Sequence, residues 1–131
     1  MRIVVTGGSG KAGRWVVRDL REQGHEVLNV DLVRDDGPHG TTLAVDLTDL
    51  GQCHDVIAGA DAVVHLAAIP APGLRAEGET FRNNILSTYN VFAAAVAQGV
   101  DEIHGQDGAR CPAAWPHRRR AARARWRKNR R

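Results

Sequence analysis

The stretch of sequence that decides the fold is RIVVTGGSGKAGRWVVRDLREQGHEVLNVD, residues 2–31. Residues 3–5 form a short apolar run that predicts a buried strand, and residues 14–23 have the composition of a helix, which Gly24 ends. Residues 25–30 form a second apolar run that predicts another strand and closes on Asp31. This order of strand, loop, helix and strand predicts a βαβ unit with two parallel strands.

The loop between the first strand and the helix is rich in glycine. Gly8, Gly10 and Gly13 satisfy the pattern G-x-G-x-x-G, and Gly7 with the last two satisfies G-x-x-G-x-x-G. Such a loop brings backbone N–H groups to the start of a helix, where the helix dipole favours an anion such as pyrophosphate. The glycines allow a tight turn, close approach of the ligand and close helix–strand packing. The unit therefore predicts dinucleotide binding.

An acidic residue follows the second strand at the position where such a unit needs one. Asp31 lies 18 residues after Gly13, and its carboxylate can accept hydrogen bonds from both ribose hydroxyls while repelling a 2′-phosphate. This favours NAD over NADP. A P-loop is excluded, because Val5 stands where its first glycine belongs and Ala12 replaces the Ser or Thr that would bind magnesium.

Length and cysteine content limit the possible classes of protein. The chain has 131 residues, enough for one domain with one core. Its apolar stretches are far shorter than the ~20 residues that cross a bilayer, and nothing resembles a signal peptide. Cys53 and Cys111 match no metal-binding spacing, so we expect no metal, a cytoplasmic location, and a core position for Cys53.

The remaining strands predict a larger sheet. Residues 41–45 and 61–66 are apolar enough to be the third and fourth strands, and residues 101–104 begin a fifth. The alternation of strands and helices implies right-handed crossovers and an α/β fold, a doubly wound parallel sheet of the Rossmann type with strand order 3-2-1-4. The loop at residues 69–78 leaves the carboxyl end of the fourth strand, where ligands bind in such sheets.

The helices are predicted from apolar residues that recur at helical spacing. Thr48 or Asp49 is expected to cap the second helix, Gly59 to end it, and Gly99 to end a third helix at residues 81–98. Trp15 is expected to pack beside the first helix's apolar stripe. The predicted inward faces are Ala12, Val16 and Leu20 in the first helix, Leu50, Cys53, Val56 and Ile57 in the second, and Ile85, Tyr89, Phe92 and Val96 in the third.

The charge changes sign abruptly near the end of the chain. Residues 1–109 carry eight basic and fifteen acidic side chains, a net charge of −7, whereas residues 110–131 carry ten basic and no acidic side chains. From residue 105 onward there is no Val, Ile, Leu, Met, Phe or Tyr. Such a segment cannot bury enough apolar surface to offset the entropy of ordering it, so we expect disorder, with residues 118–128 forming at most a fraying helix.

With these residues placed, the chain resembles the extended short-chain dehydrogenase/reductases, specifically the NAD-dependent epimerase/dehydratase group. The resemblance covers residues 1–103, an incomplete NAD-binding domain, and leaves residues 104–131 as a basic tail. It is carried by TGGSGKAG at residues 6–13, Asp31, DL at residues 46–47, HLAA at residues 65–68 and NILSTYN at residues 84–90.

The resemblance implies a role for each matching residue. The backbone of residues 8–12 would hold the pyrophosphate and Asp31 the adenosine ribose; Asp46 and Leu47 would lie along the adenine. Ala67 and Ala68 would pass the nicotinamide ribose, with Asn84 near the active site. The complete candidate cofactor set is Gly7, Gly8, Ser9, Gly10, Lys11, Ala12, Gly13, Asp31, Asp46, Leu47, Ala67, Ala68 and Asn84.

Structural alternatives stay open for several of these residues. Asp46 could cap a helix, and Ala67 with Ala68 could be small core residues. Asn83 and Asn84 could be ordinary residues of the first turn of a helix. His65 follows an apolar run and is interpreted as a hydrogen-bonded strand residue rather than a catalytic base.

The catalytic residues of this family have no counterpart here. The family places a Ser after the fifth strand and a Tyr-x-x-x-Lys pair on the next helix, where the lysine lowers the pKa of the tyrosine for proton exchange during hydride transfer. The one tyrosine, Tyr89, has Ala93 at the fourth position after it; the lysines are Lys11 and Lys128, and the serines Ser9 and Ser87. We therefore assign no catalytic residue, and the family's substrate-binding C-terminal half is also missing.

Two interpretations of the tail remain. The first is an out-of-frame or truncated end to an enzyme gene, since its Arg, Ala, Pro and Gly bias is typical of GC-rich codons read in another frame. The second is a polybasic arm, in which residues 118–131 contact nucleic-acid phosphates while Trp115 and Trp126 stack on bases. We favour the first, because the break falls inside an expected strand. The parent enzyme would act on a small molecule such as a nucleotide sugar, and unpaired sheet edges predict self-association.

Overall fold

A computed structural model describes residues 1–34, 36–37, 40–100, 102–105 and 110–112, the last three through their main chain. They form one six-stranded sheet with three helices. In chain order the elements are β1 (Arg2–Thr6), α1 (Lys11–Glu22), β2 (Glu26–Asp31), β3 (Thr42–Ala44), α2 (Leu50–Ile57), β4 (Ala62–His65), α3 (Glu77–Gln98), β5 (Glu102–Gly105) and β6 (Arg110–Pro112). None of the helices in these residues is both long and apolar enough to cross a membrane.

The sheet has the strand order β3-β2-β1-β4-β5-β6. The first five strands are parallel, with Val4 of β1 opposite Leu28 on one side and Val63 on the other. The predicted Rossmann-type order is therefore confirmed and extended by a complete fifth strand. From β1 the strand order runs outward in two directions, through β2 to β3 on one side and through β4 to β5 on the other. Because β1 and β4 are parallel neighbours, the loops after them leave the same end of the sheet at this switch point, where ligands bind in such folds.

The sixth strand was not predicted from the sequence. Residues 110–112 run antiparallel to β5, with Cys111 opposite Ile103. These three residues, and Gly105 at the end of β5, are therefore strand residues in the segment where disorder was expected. Main-chain pairing to an open strand edge needs no apolar side chain, and the argument from composition therefore missed it. The other tail assignments, namely residues 113–131 with Trp115 and Trp126, lie outside the described residues.

The core lies on both faces of the sheet. One cluster joins Val4 and Val63 to the inner sides of α2 and α3, and a smaller cluster joins Ile3 and Val5 to Val17 of α1. Alternate residues of β1 thus serve opposite faces, which explains why this central strand is an unbroken apolar run. Cys53 is fully buried in the larger cluster, as predicted, and burial raises the pKa of its thiol to about 11.

The inward faces of α1 and α2 differ from the prediction at three residues. Val16 and Leu20 pack against the core beside the buried Gly13 and Val17, whereas Ala12 is exposed. Trp15 is 68% exposed, and the guanidinium of Arg18 lies 5.8 Å from its ring centroid. In α2, Cys53, Val56 and Ile57 are buried, while Leu50 is 41% exposed because it occupies the first turn.

The predicted inward face of α3 is wrong. Ile85, Tyr89 and Val96 are more than half exposed, and Phe92 is only partly buried. The helix instead buries a face of small and polar residues, which are Ser87, Asn90, Val91, Ala94 and Ala95. Small side chains let the helix lie close to the sheet and α2, and the buried Asn90 amide is satisfied by donating to the Leu47 carbonyl oxygen at 3.0 Å.

Local signals for helix ends are confirmed. Asp49 is the N-cap of α2, and its Oδ1 accepts from the backbone N–H groups of Gly51 and Gln52 at 2.8 and 3.2 Å. Hydrogen bonds from Gln52 are the main cause that lowers the pKa of Asp49, and Gly51 adds to it. Gly59 and Gly99 follow α2 and α3 with φ of +74° and +69°, the left-handed conformation that glycine adopts without strain.

Candidate functional site

The loop between β1 and α1 forms the centre of the candidate site. The Gly7 N–H donates to the Val30 carbonyl oxygen at 2.8 Å, and the Gly10 N–H donates to the Gly7 carbonyl oxygen at 3.1 Å. These bonds fold the loop into a tight turn at the carboxyl end of the central strand. Gly7 has φ of +70°, a conformation that a side chain would strain.

Three glycines of the loop leave no room for a side chain. A Cβ on Gly7 would lie 2.6 Å from the backbone nitrogen of Ala67, one on Gly8 would overlap the Asn29 amide, and one on Gly13 would overlap the Gly7 carbonyl. The backbone of the loop is therefore packed against β2, β4 and its own turn. These are the close approaches that the G-x-G-x-x-G pattern requires.

The start of α1 fits an anion. Gly10 is its N-cap, no side chain caps the helix, and its first turn contains no acidic residue. The first N–H groups of a helix have no intrahelical partner, and the positive end of the dipole lies beside them. A pyrophosphate would satisfy both through the backbone of residues 8–12, where the Ser9 and Gly10 N–H groups also donate to Asp31 and Gly7. Lys11 and Ala12 form the exposed start of this helix.

Asp31 lies beside the loop, at the end of β2. Its Oδ2 accepts from the Ser9 N–H at 3.2 Å, and its Oδ1 accepts from the Leu32 N–H at 2.8 Å. The structure thus brings together the glycine loop and the acidic residue that the sequence paired only by spacing. A carboxylate at this place can accept further hydrogen bonds, because each oxygen offers two lone-pair sites.

Asp46 and Leu47 follow β3 and build the turn that leads into α2. Asp46 Oδ1 accepts from the backbone N–H and the hydroxyl of Thr48 at 2.9 and 2.7 Å. Leu47 is buried, and its carbonyl oxygen accepts from the Asn90 amide. Asp46 is not the helix cap considered as an alternative, since Asp49 takes that position.

Ala67, Ala68 and Asn84 lie around the chain that leaves β4. Ala67 is half-buried, donates its N–H to the Thr6 hydroxyl at 3.3 Å and borders Gly7; Ala68 is also half-buried. The Asn84 side chain accepts from the N–H of Ile69 at 2.9 Å and donates to its carbonyl oxygen at 3.1 Å. Asn84 of α3 therefore holds the loop that precedes this helix through the main chain of Ile69. Because α3 begins at Glu77, the loop predicted at residues 69–78 ends at residue 76.

His65 is a hydrogen-bonded strand residue, as the sequence indicated. It is buried, with Nδ1 2.7 Å from the Thr6 hydroxyl and Nε2 3.2 Å from the Thr88 hydroxyl. Burial lowers the pKa of His65 from 6.5 to about 4. A neutral ring that accepts from Thr6 and donates to Thr88 fits both contacts and leaves no nitrogen free to act as a base.

Two buried polar residues at the loop were missed by the sequence analysis. Asn29 of β2 and Thr42 of β3 are 5% and 2% exposed. The Asn29 amide nitrogen donates to the Thr42 hydroxyl at 2.8 Å, and this hydroxyl lies 3.3 Å from the hydroxyl of Ser9. The available signal was Asn29 itself, a polar residue inside an otherwise apolar strand that the pattern requires to be buried.

Ser87 and Tyr89 of α3 do not form a catalytic pair. Ser87 is buried, and its hydroxyl donates to the Asn84 carbonyl oxygen at 3.3 Å. Tyr89 is 66% exposed on the outer side of α3. No lysine stands at the family's spacing after Tyr89, where the fourth position is Ala93.

Comparison with known proteins agrees with this geometry. Residues 3–105 match the model of the NAD dependent epimerase/dehydratase family. The chain belongs to this family. It is 36% identical over 102 residues to the L-arabinose 1-dehydrogenase (NAD(P)(+)) of Haloferax volcanii, a match that covers 78% of this chain and 39% of that protein.

Solved structures show the same relationship. A short-chain dehydrogenase/reductase superfamily protein from Agrobacterium tumefaciens with bound NAD superposes with a TM-score of 0.72 at 31% identity, covering 86% of this chain and 39% of that one. MoeE5 in complex with UDP-glucose and NAD gives a TM-score of 0.69 at 31% identity, covering 80% and 36%. The chain thus spans about two fifths of the length of these relatives.

Proposed function

We propose that this chain is the NAD-binding portion of an NAD-dependent dehydrogenase or epimerase. The observation that carries the proposal is the contact between Asp31 and Ser9, which puts a carboxylate at the edge of a crowded glycine loop. In this proposal the backbone of residues 8–12 holds the pyrophosphate, Asp31 holds the adenosine ribose, and Asp46 with Leu47 borders the adenine. When bound, the cofactor would supply the hydride chemistry of the family.

The nicotinamide end of the cofactor would lie toward β4. Ala67 and Ala68 follow this strand beside Gly7, and their small side chains would let a ribose approach the main chain there. Asn84 would act by holding Ile69, which starts the loop that borders this space. The proposed substrate class is a sugar or nucleotide sugar, since one solved relative is in complex with UDP-glucose and NAD.

The first test concerns the choice of cofactor. Asp31 would repel a 2′-phosphate, so NAD is expected to bind more tightly than NADP. Asp31→Ala should weaken NAD binding by about 1.5–3 kcal/mol, the scale of hydrogen bonds to a charged group. Calorimetric titration of both variants with both cofactors measures this, with Asp36→Ala as a control in the following loop. Equal or tighter NADP binding by the unaltered chain would refute the role of Asp31.

The second test concerns turnover. We expect no steady dehydrogenase activity from this chain, because it lacks the tyrosine–lysine pair, and the proton transfer that such groups supply is worth ~10²–10⁴-fold in rate. NADH absorbance with a panel of sugars, sugar nucleotides and alcohols is the measurement. Steady turnover that Asp31→Ala abolishes would show that other residues of the chain perform the proton transfer.

A further inference from the structure

Three polar side chains in hydrogen-bond contact link the glycine loop to the two strands beneath it. Asn29 of β2 donates to the Thr42 hydroxyl of β3 at 2.8 Å, and that hydroxyl lies 3.3 Å from the Ser9 hydroxyl in the loop. Asn29 and Thr42 are 5% and 2% exposed, whereas Ser9 is only half-buried. These three side chains therefore connect the interior of the sheet to the surface on which an anion would bind.

The Asn29 amide has a defined orientation. Its Oδ1 has no hydrogen-bond partner and lies where a side chain of Gly8 would stand, so it faces the Cα–H of that glycine. A Cα–H is a weak donor to such an oxygen. With the oxygen directed there, the amide NH₂ group faces Thr42, and this group can only donate.

The orientation of Asn29 determines the direction of the other hydrogen bonds. Since the Thr42 oxygen accepts from Asn29, the proton of the Thr42 hydroxyl can be donated to the Ser9 oxygen. The Ser9 hydroxyl then accepts from Thr42, and its own proton is left to point away from the sheet. A hydroxyl held in this way is a donor toward the start of α1, where the helix dipole also favours an anion.

The main chain of Ser9 is held independently of its side chain. Its N–H donates to Asp31 Oδ2 at 3.2 Å, and its carbonyl oxygen accepts from Arg14 Nε at 2.8 Å. The loop backbone would therefore keep its place without Thr42. The contact with Thr42 has a narrower effect, which is to fix the orientation of the Ser9 hydroxyl.

We propose that Asn29 and Thr42 are positioning residues that orient the Ser9 hydroxyl to donate a hydrogen bond to a phosphate oxygen of the cofactor. The proposal rests on the proposed function, because it concerns the pyrophosphate of the same dinucleotide. Burying an unpaired polar atom such as Asn29 Oδ1 costs free energy, so apolar residues would be more stable at these two positions. A positioning role explains why a polar pair is buried there.

The test uses the full chain and two probes, ADP-ribose with phosphates and adenosine without them. Thr42→Val keeps the shape of the side chain but removes the hydroxyl, and we expect it to weaken ADP-ribose binding about five- to tenfold while leaving adenosine binding unchanged. Thr42→Ser restores the hydroxyl and should restore most of the affinity. In a Ser9→Ala background, Thr42→Val should cause no further loss, because both changes remove the same interaction.

The outcomes separate this proposal from the proposed function. Loss of affinity that is equal for the two probes, or that is additive with Ser9→Ala, would overturn the positioning role while NAD binding stands. If the unaltered chain binds neither NAD nor ADP-ribose, both proposals fail. Circular dichroism shows whether Thr42→Val folds. If it does not fold, the Ser9→Ala variant tests the proposal by itself, because wild-type affinity of Ser9→Ala for ADP-ribose would overturn it.

Discussion

At the level of single residues, His65 makes the stability of the folded state depend on pH. Its ring lies between the hydroxyls of Thr6 and Thr88 and so joins β1, β4 and α3. Burial lowers its pKa from 6.5 to about 4. Between these two values the unfolded chain binds a proton that the folded chain does not, so stability falls as the pH falls.

His65→Gln should remove most of this pH dependence. The glutamine amide can still accept and donate hydrogen bonds, but it does not titrate. For the unaltered chain the free energy of unfolding should decrease by up to about 3 kcal/mol from pH 7 to pH 4 through this residue. Urea unfolding at pH 7, 6, 5 and 4 measures it for both chains. The same slope in His65→Gln would mean that other groups carry the pH dependence.

The residues of the proposed cofactor site differ in how far the sequence could reveal them. The glycine loop and Asp31 were predictable because each follows from the chemistry of one short segment, and the structure puts Asp31 against Ser9. Asn29 and Thr42 were missed because their contact joins two strands. The role of a polar residue in a strand depends on which residue lies beside it in the next strand. Spacing along the chain carries no information on such a pair.

At the scale of elements, α3 shows where the periodicity argument fails. Apolar spacing identified a helix correctly but assigned its larger side chains to the core. The structure leaves Phe81, Ile85, Tyr89 and Val96 exposed and buries Ser87, Asn90, Val91, Ala94 and Ala95. Periodicity locates an apolar stripe, but close packing against a sheet and a second helix selects small residues, and no single-sequence pattern distinguishes the two.

Two valines of α3 provide a matched test of this assignment. Val91 is fully buried, whereas Val96, five residues later, is 64% exposed. Val91→Ala should lower the free energy of unfolding by about 1–3 kcal/mol, because it leaves a cavity in the core. Val96→Ala should change it by less than about 0.5 kcal/mol, as is usual for exposed positions. Thermal or urea unfolding compares them.

The opposite ranking of the two stability losses would contradict the buried face of α3 seen in the structure. A large cost for Val96→Ala together with a small cost for Val91→Ala would restore the inward face predicted from the sequence. If both substitutions were costly and that for Val96 depended on protein concentration, the exposed stripe would be covered by another molecule in solution.

At the scale of the whole molecule, the charge is separated along the chain. Residues 1–109 have a net charge of −7, and residues 113–131 contain nine basic and no acidic side chains. The described sheet ends on one side at β3 and on the other at β6, and edge strands offer main-chain groups for pairing with other chains. The exposed side chains of α3 add an apolar surface of the kind that favours association.

Self-association that depends on salt is therefore the final prediction. Opposite charges of the two segments should attract between chains, and salt weakens this attraction as the Debye length shortens from ~10 Å at 0.1 M. Sedimentation of the full chain at 0.05 and 0.5 M sodium chloride, at several protein concentrations, should show larger species at low salt.

A chain that ends at Pro112 is the matched comparison, because it keeps all six strands but loses the basic residues beyond them. Its association should respond little to salt, since what remains is edge pairing and the apolar side of α3. Any NAD binding should persist, because every proposed cofactor contact lies before residue 85. A full-length chain that stays monomeric at both salt concentrations would show that its basic segment is already neutralised within the same molecule. A shortened chain that no longer melts cooperatively would show that residues 113–131 contribute to the fold.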